Sequence, residues 1–299
     1  MLTFTPPPNW PPAPEGFVPP PGWSPDPSWP PPPPGWMFWQ QRKHVWALDR
    51  AVAESPDTGW SIWLGLAPML ALIVVIAGVA ALGTALHGWR PSELTRWFLL
   101  PVEVLHYAAA LVVIVIMGRT VRRTSGGWQR AFGWGKVKLI DPLLGIGGAV
   151  AEFIARIAVG LVLFILIPAL RGKTEANVSL HGKSTTAIVL ILILAVLIAP
   201  PIEELIFRGV MLRAFMKRLP ATRLGPFWPA AILSSFLFAA LHLYEVHSIA
   251  AMVLLFASIF TFAIGQCLLL RWTGRLATTI SAHAVSNLAA ALLTLATNK

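Results

Sequence analysis

The sequence predicts an all-α membrane protein, a polytopic bundle of about seven transmembrane helices behind a disordered N-terminal tail. Its composition is the first reason: 56% of the 299 residues are hydrophobic and 12% are charged, whereas ordinary soluble domains carry about 25% charged residues. The second reason is the length of the apolar runs, several of which approach the ~20 residues that a helix needs to cross a bilayer. The lipid bilayer is therefore a predicted partner.

The first forty residues are rich in proline and tryptophan. Proline blocks alternate with tryptophans, and Pro-Gly-Trp occurs twice. Such a sequence favours extended polyproline II structure, and we expect it to stay disordered because it cannot bury a core. Residues 1–58 then form a cytosolic tail and juxtamembrane segment. Residues 1–40 would serve as a spacer, as the ligand of a proline-binding partner, or as a membrane-interface contact through their tryptophans.

Seven apolar segments come after the tail and are predicted to span the membrane. The first begins near residue 60, which is too far into the chain for a cleavable signal peptide. We assign residues 59–130 to two N-terminal helices and a basic loop, and residues 131–299 to a second, functional domain. The predicted spans are 61–86, 97–117, 143–170, 186–207, 227–243, 248–270 and 276–296.

The distribution of basic residues predicts the orientation of the chain. With the N-terminus in the cytosol, sixteen of the 23 Lys and Arg residues fall in cytosolic segments, six fall outside, and Arg156 lies within a span. This asymmetry obeys the positive-inside rule and places the C-terminus outside the cell membrane. The net charge of +10 therefore belongs to loops at the membrane surface. No basic, aromatic nucleic-acid module is recognisable, so we expect no nucleic-acid partner.

Two adjacent carboxylates and an arginine close the fourth span. Glu203, Glu204 and Arg208 come after an apolar run that ends in Pro200-Pro201, and one acid at a helix centre costs roughly 2.5–3.5 kcal/mol. Glu204 lies four residues before Arg208, so the two should pair and leave Glu203 about 100° round the helix. The same spacing predicts that Glu152 pairs with Arg156 in the third span.

Two histidines occupy later spans. Phe238 lies four residues before His242, and His283 lies four residues before Asn287. A single intramembrane histidine usually makes a hydrogen bond between helices. Here, however, three polar sites come from different helices, and all use side chains suited to acid–base chemistry, metal binding or oxyanion stabilisation.

The depths of these residues in the membrane conflict if all helices are straight and upright. His242 stands about 20 Å from the cytosolic end of its span, whereas Glu203 lies only about five residues from the end of its own. The conflict disappears if the fifth helix is tilted or does not begin at the interface. It also disappears if Pro200-Pro201 break the fourth helix.

The ordered set Glu203-Glu204-x-x-x-Arg208, Phe238-x-x-x-His242 and His283-x-x-x-Asn287 resembles the motifs of the CPBP family of intramembrane proteases. This family includes the CAAX prenyl endopeptidases and the bacteriocin-processing and immunity proteins called Abi. The resemblance covers roughly residues 132–296. It implies an intramembrane endopeptidase that cleaves a membrane-associated peptide or protein, prenylated or carrying a leader peptide.

The resemblance also implies roles for single residues. Glu203 would activate water with help from His242, while His283 and Asn287 would stabilise the oxyanion. Glu204, Arg208 and Phe238 would support this set. We expect no metal cofactor, because no His-Glu-x-x-His pattern occurs and asparagine is a poor zinc ligand. If zinc is used instead, its ligands would be Glu203, His242 and His283.

Two other classes of function fit the same residues. The protein could be a non-enzymatic membrane scaffold or a bacteriocin-immunity-type protein that retains the motifs. It could also be a proton-coupled transporter whose intramembrane acids relay protons. Inverted repeats with broken helices in both halves would favour transport, but the only Pro-Pro break predicted within a span lies in the second half.

Overall fold

A computed structural model describes residues 2–14, 17–20, 22–41, 45–55, 61–87, 99–122, 132–133, 137–173, 184–243, 246 and 248–297. The chain divides into two compact units, Met1–Val45 and Trp46–Lys299. The first contains two short strands, β1 (Leu2–Phe4) and β2 (Trp39–Gln41), and the second is helical.

The N-terminal unit is ordered, so the prediction of a disordered tail is wrong. Strands β1 and β2 pair antiparallel, with Leu2 opposite Gln41. Between them the chain makes regular turns in which the N–H of an aromatic residue donates to the carbonyl three residues earlier, as Trp36 does to Pro33. Gly35 has φ +78° in this turn, and glycine is favoured at this position of a type II turn because other residues resist positive φ.

Aromatic side chains supply the core that the sequence interpretation missed. The Phe4 ring lies with its centroid 5.5 Å from that of Trp23 and 6.0 Å from that of Phe38. The indole Nε1–H of Trp10 donates to the Pro30 carbonyl at 2.6 Å. Large aromatic rings bury much apolar area per residue, and prolines lose little conformational entropy on folding. The unit therefore orders despite its few aliphatic residues.

The second unit begins with the short helix α1 (Ala47–Glu54). The long helices after it are α2 (Ile62–His87), α3 (Leu99–Arg122), α4 (Asp141–Leu166), α5 (Thr185–Arg218), α6 (Phe227–Ala240), α7 (Ile249–Thr273) and α8 (Leu276–Thr297), with a 3₁₀ turn at Pro168–Leu170. Within the described residues, each of the seven predicted spans is mainly helical, which confirms the all-α, polytopic prediction for this unit.

Five helices of the described structure are long and apolar enough to cross a membrane: α2, α4, α5, α7 and α8. Helices α3 and α6 contribute the shorter apolar stretches Tyr107–Arg119 and Phe227–Ala240. With only 14 residues, α6 is about 21 Å long, less than the ~30 Å hydrocarbon core. Of the alternatives considered for the depths of Glu203 and His242, a break of the fourth helix at Pro200-Pro201 does not occur, because α5 continues through these prolines.

Small residues allow the helices of the bundle to pack closely. Helix α4 lies against α7 and α8 and exposes large side chains such as Leu143 and Phe153 on its other side. A Cβ built on Gly145 would lie 2.5 Å from the Cβ of Ser281 and 2.9 Å from the backbone nitrogen of Ala282. Helices in lipid rely on such close backbone contacts, since no hydrophobic effect drives them together there.

This contact gives a matched pair of variants in one helix. Gly145→Ala should lower the free energy of unfolding by about 1–3 kcal/mol, because the methyl group must push α8 away. Gly147 has nothing within 4 Å of a built Cβ, so Gly147→Ala should be neutral or stabilising by up to about 1 kcal/mol. Unfolding in mixed detergent micelles measures both. Equal stabilities of the two variants would contradict the close α4–α8 contact.

Candidate active site

Helix α5 carries the paired glutamates and is not a regular α-helix. Two π-helical segments, Leu194–Ile198 and Leu205–Met211, flank the α-helical residues Ala199–Glu204. Each segment inserts an extra residue into the helical turn and thereby rotates the next part of the helix about its axis. Such bulges are frequent at functional sites.

The first π segment creates a polar attachment point for α8. The N–H of Ala199 donates to the carbonyl of Leu194, five residues back. In the same pattern, the carbonyl of Ala195 would accept a hydrogen bond from the N–H of residue 200, but Pro200 has no N–H. Asn287 supplies it: its Nδ2 donates to the Ala195 carbonyl at 2.8 Å. One amide hydrogen of Asn287 is therefore used to hold α8 against α5.

Glu204 and Arg208 form the ion pair that their spacing predicts. Arg208 Nη1 lies 3.1 Å from Glu204 Oε1, and both side chains are fully buried. The guanidinium also donates through Nη2 to the Ala263 carbonyl at 3.2 Å and lies 4.7 Å from the centroid of the Phe238 ring. Because a buried charge is costly without such partners, Arg208 and Glu204 depend on each other.

His283 lies between the two glutamates. Its Nδ1 is 3.0 Å from Glu204 Oε1, and its Nε2 is 3.7 Å from Glu203 Oε2. Phe262 and Phe238 pack edge-on against the imidazole, at centroid distances of 4.9 and 6.0 Å. Since the Arg208-paired carboxylate of Glu204 accepts hydrogen bonds, Nδ1 carries the hydrogen. The Nε2 atom is thereby directed at Glu203.

Glu203 is the more accessible acid of the pair, with a side chain 14% exposed against 0% for Glu204. Its Oε1 accepts a hydrogen bond of 2.5 Å from the phenol of Tyr107, in helix α3. Sequence interpretation missed Tyr107. A usable signal existed, since it is one of two tyrosines in the chain and a buried phenol usually has a hydrogen-bond partner.

His242 lies just beyond the C-terminal end of α6. Its Nδ1 is 2.8 Å from the Phe238 carbonyl, and its ring centroid lies 4.8 Å from that of Phe238. A carbonyl can only accept, so Nδ1 is the protonated nitrogen and Nε2 of the neutral ring keeps a lone pair. Among the described residues, the histidine within 4 Å of a Glu203 carboxylate oxygen is His283 rather than His242.

Glu152, an acid in helix α4, makes no ion pair with Arg156, so that prediction is wrong. Gln266 Nε2 donates to Glu152 Oε2 at 3.1 Å, and Arg156 Nε donates to the Ser258 hydroxyl at 2.8 Å. Both partners lie on α7, and Gly265 leaves the space that the Glu152 side chain occupies. Glu152 and Arg156 thus make hydrogen bonds to the neighbouring helix instead of an ion pair within α4.

The predicted zinc ligands meet only in part. Glu203 and His283 approach each other, but within the described ranges no group of three or more His, Cys, Asp or Glu side chains has an arrangement that could hold a metal ion. The site as described therefore does not fit a three-ligand zinc centre formed by Glu203, His242 and His283.

A comparison with protein families gives one match. The family model described as "Type II CAAX prenyl endopeptidase Rce1-like" matches residues 185–289, from the first turn of α5 to the middle of α8. The matched region contains all seven motif residues: Glu203, Glu204, Arg208, Phe238, His242, His283 and Asn287. Neither a curated protein nor a solved structure matches the chain.

The family match and the contacts of the site concern the same residues. Helices α5, α6 and α8 carry every motif residue except His242, which lies just beyond α6, and the family model covers this region together with α7. Over residues 185–289 this chain is thus similar to the Rce1-like type II CAAX prenyl endopeptidase family, in agreement with the CAAX intramembrane proteases that the sequence motifs resemble.

Proposed function

We propose that the protein is an intramembrane endopeptidase in which Glu203 activates water for attack on a peptide bond. One observation carries the proposal. Of the two adjacent carboxylates, the buried Glu204 is neutralised by Arg208, while Glu203 is partly exposed and faces His283 Nε2 across 3.7 Å. That spacing is too long for a direct hydrogen bond and allows one water molecule to contact both atoms.

The hydrolysis uses groups that this chain provides. Glu203 accepts a proton from water as the water oxygen bonds to the carbonyl carbon of the substrate. The carbonyl oxygen gains negative charge, and the donors proposed to stabilise it are the second amide hydrogen of Asn287 and, in the doubly protonated form of its ring, His283 Nε2. When the C–N bond breaks, Glu203 returns the proton to the leaving nitrogen. The products are a carboxylic acid and an amine.

The acid–base role of Glu203 depends on its neighbours. Because Glu204 already has a cationic partner at 3.1 Å, Arg208 does not need Glu203 to balance its charge. The neutral tautomer of His242 keeps a lone pair on Nε2, so this residue can accept a proton once substrate and water enter the site. Both features support Glu203 as the general base and His242 as its helper.

The family name suggests the substrate class: a membrane-associated peptide with a prenylated C-terminal CAAX sequence. The test incubates purified protein in detergent or nanodiscs with a farnesylated CAAX peptide, the same peptide without the lipid, and an unrelated leader peptide. Mass spectrometry identifies the cleaved bond. We expect cleavage after the prenylated cysteine. If wild-type protein cleaves none of these or a diverse peptide library, a scaffold or a transporter becomes the better interpretation.

Metal removal tests the absence of a metal cofactor, which remains a prediction. EDTA should leave peptide hydrolysis within about twofold of the untreated rate, since Glu203 and His242 are proposed to act on water directly. Elemental analysis should find well below one zinc per chain. The matched control adds zinc to both treated and untreated enzyme. Stoichiometric zinc that His283→Ala removes, with activity restored by added metal, would establish a metalloprotease instead.

A further inference from the structure

Tyr107 connects helix α3 to the candidate catalytic glutamate from outside the family-matched region. Its phenol donates to Glu203 Oε1 at 2.5 Å, and the two residues are 96 positions apart in the chain. The tyrosine is 7% exposed and shares its helix with the buried core residues Ala110, Ile114 and Met117. These apolar contacts fix the helix, so the phenol reaches Glu203 from a rigid support.

Because of this contact, the two carboxylate oxygens of Glu203 have different partners. Oε1 is held by the phenol, while Oε2 is the oxygen that faces His283 Nε2. A glutamate side chain has three rotatable bonds, and a hydrogen bond to one carboxylate oxygen restricts where the other oxygen can lie. Effective general-base catalysis needs such placement within a few tenths of an ångström.

We propose that Tyr107 is a positioning residue for Glu203, so that the active site extends into helix α3. This inference rests on the proposed role of Glu203 as general base. Tyr107 acts through Glu203, and its contribution should therefore appear in the chemical step rather than in substrate binding. An α3 residue is needed for full activity, and residues 185–289 alone do not contain the whole site.

Tyr107→Phe removes the hydroxyl and keeps the ring that packs in the core. We expect kcat to fall about 10- to 100-fold, the range for a hydrogen bond to a charged group. KM should change less than about threefold, and the unfolding midpoint in detergent should be nearly unchanged. Substituting 4-aminophenylalanine at position 107, which restores a donor at the same ring position, should recover most of the rate. Thr84→Val, which removes the hydroxyl of an exposed residue that bonds within its own helix, is the control and should match wild type.

A second pair of variants tests the role of Tyr107 separately from the proposed role of Glu203 as general base. In a Glu203→Gln background, Tyr107→Phe should lower the residual rate by less than about threefold, because the carboxylate that it positions is gone. The proposal is overturned by an unchanged kcat in Tyr107→Phe, by an equal loss in both backgrounds, or by misfolding of Tyr107→Phe, which would assign the phenol a structural role. Full activity of Glu203→Gln would instead overturn the proposed function itself.

Discussion

Replacing Glu203 with glutamine is expected to lower peptide hydrolysis by about 10²–10⁴-fold, the usual contribution of a general base. Glutamine keeps the size of the side chain and can still accept a hydrogen bond from Tyr107, so the bundle should remain folded. The measurement is the initial rate on the cleaved CAAX peptide, with mass spectrometry to confirm the same product. Loss of activity without loss of folding would identify the carboxylate as the functional group.

The matched control makes the same carboxylate-to-amide change far from the site in sequence. Asp26 is an exposed acid of the N-terminal unit that accepts a hydrogen bond from Ser28, and Asp26→Asn should leave the rate unchanged. His283→Ala should be nearly as inactive as Glu203→Gln, because it removes the imidazole that faces Glu203. Asn287→Ala should lose about 10²–10³ in rate, as expected for one oxyanion donor. A wild-type rate in Glu203→Gln would contradict the assignment of Glu203 as the general base.

Replacing Arg208 with methionine is expected to destabilise the bundle by about 3–5 kcal/mol. The change leaves Glu204, which is fully buried, without its cationic partner, and uncompensated charges in the interior are costly. Methionine retains most of the volume beside the Phe238 ring, so the effect should come mainly from charge. Unfolding in mixed micelles, monitored by circular dichroism, measures the loss.

A double variant tests the cause of that loss. Arg208→Met combined with Glu204→Gln removes both charges, and it should recover most of the stability because a neutral pair no longer needs compensation. Its activity should nevertheless stay low, since His283 loses the carboxylate that orients its imidazole. If Arg208→Met is as stable as wild type, Glu204 does not depend on Arg208 and the electrostatic account of the site is wrong.

Relations within one helix were predictable from the sequence. The order of the spans comes from the apolar runs, and the Glu204–Arg208 pair comes from a spacing of four residues. The same rule failed for Glu152 and Arg156, whose partners Gln266 and Ser258 lie on another helix. A spacing of four makes a contact available, but which partner is used depends on what the neighbouring helix presents.

In the N-terminal unit, too, short segments of sequence predict local structure, whereas contacts between residues distant in the chain do not follow from the sequence. Pro-Gly-Trp segments predict turns from local chemistry, and the turn at Gly35 has the positive φ that only glycine adopts readily. Whether those turns stack into an ordered unit depends on contacts between aromatic rings such as Phe4 and Phe38, 34 positions apart. Composition alone favoured disorder because it does not count such contacts.

The sequence by itself determined the fold class, the membrane location and the seven motif residues, because periodicity and motif spacing are properties of a single chain segment. Only the tertiary structure decided how those residues meet. It placed His283 between both glutamates, used Asn287 to satisfy a carbonyl freed by Pro200, and brought Tyr107 to Glu203. Each of these contacts joins helices distant in sequence, and their geometry is set by how closely whole helices pack.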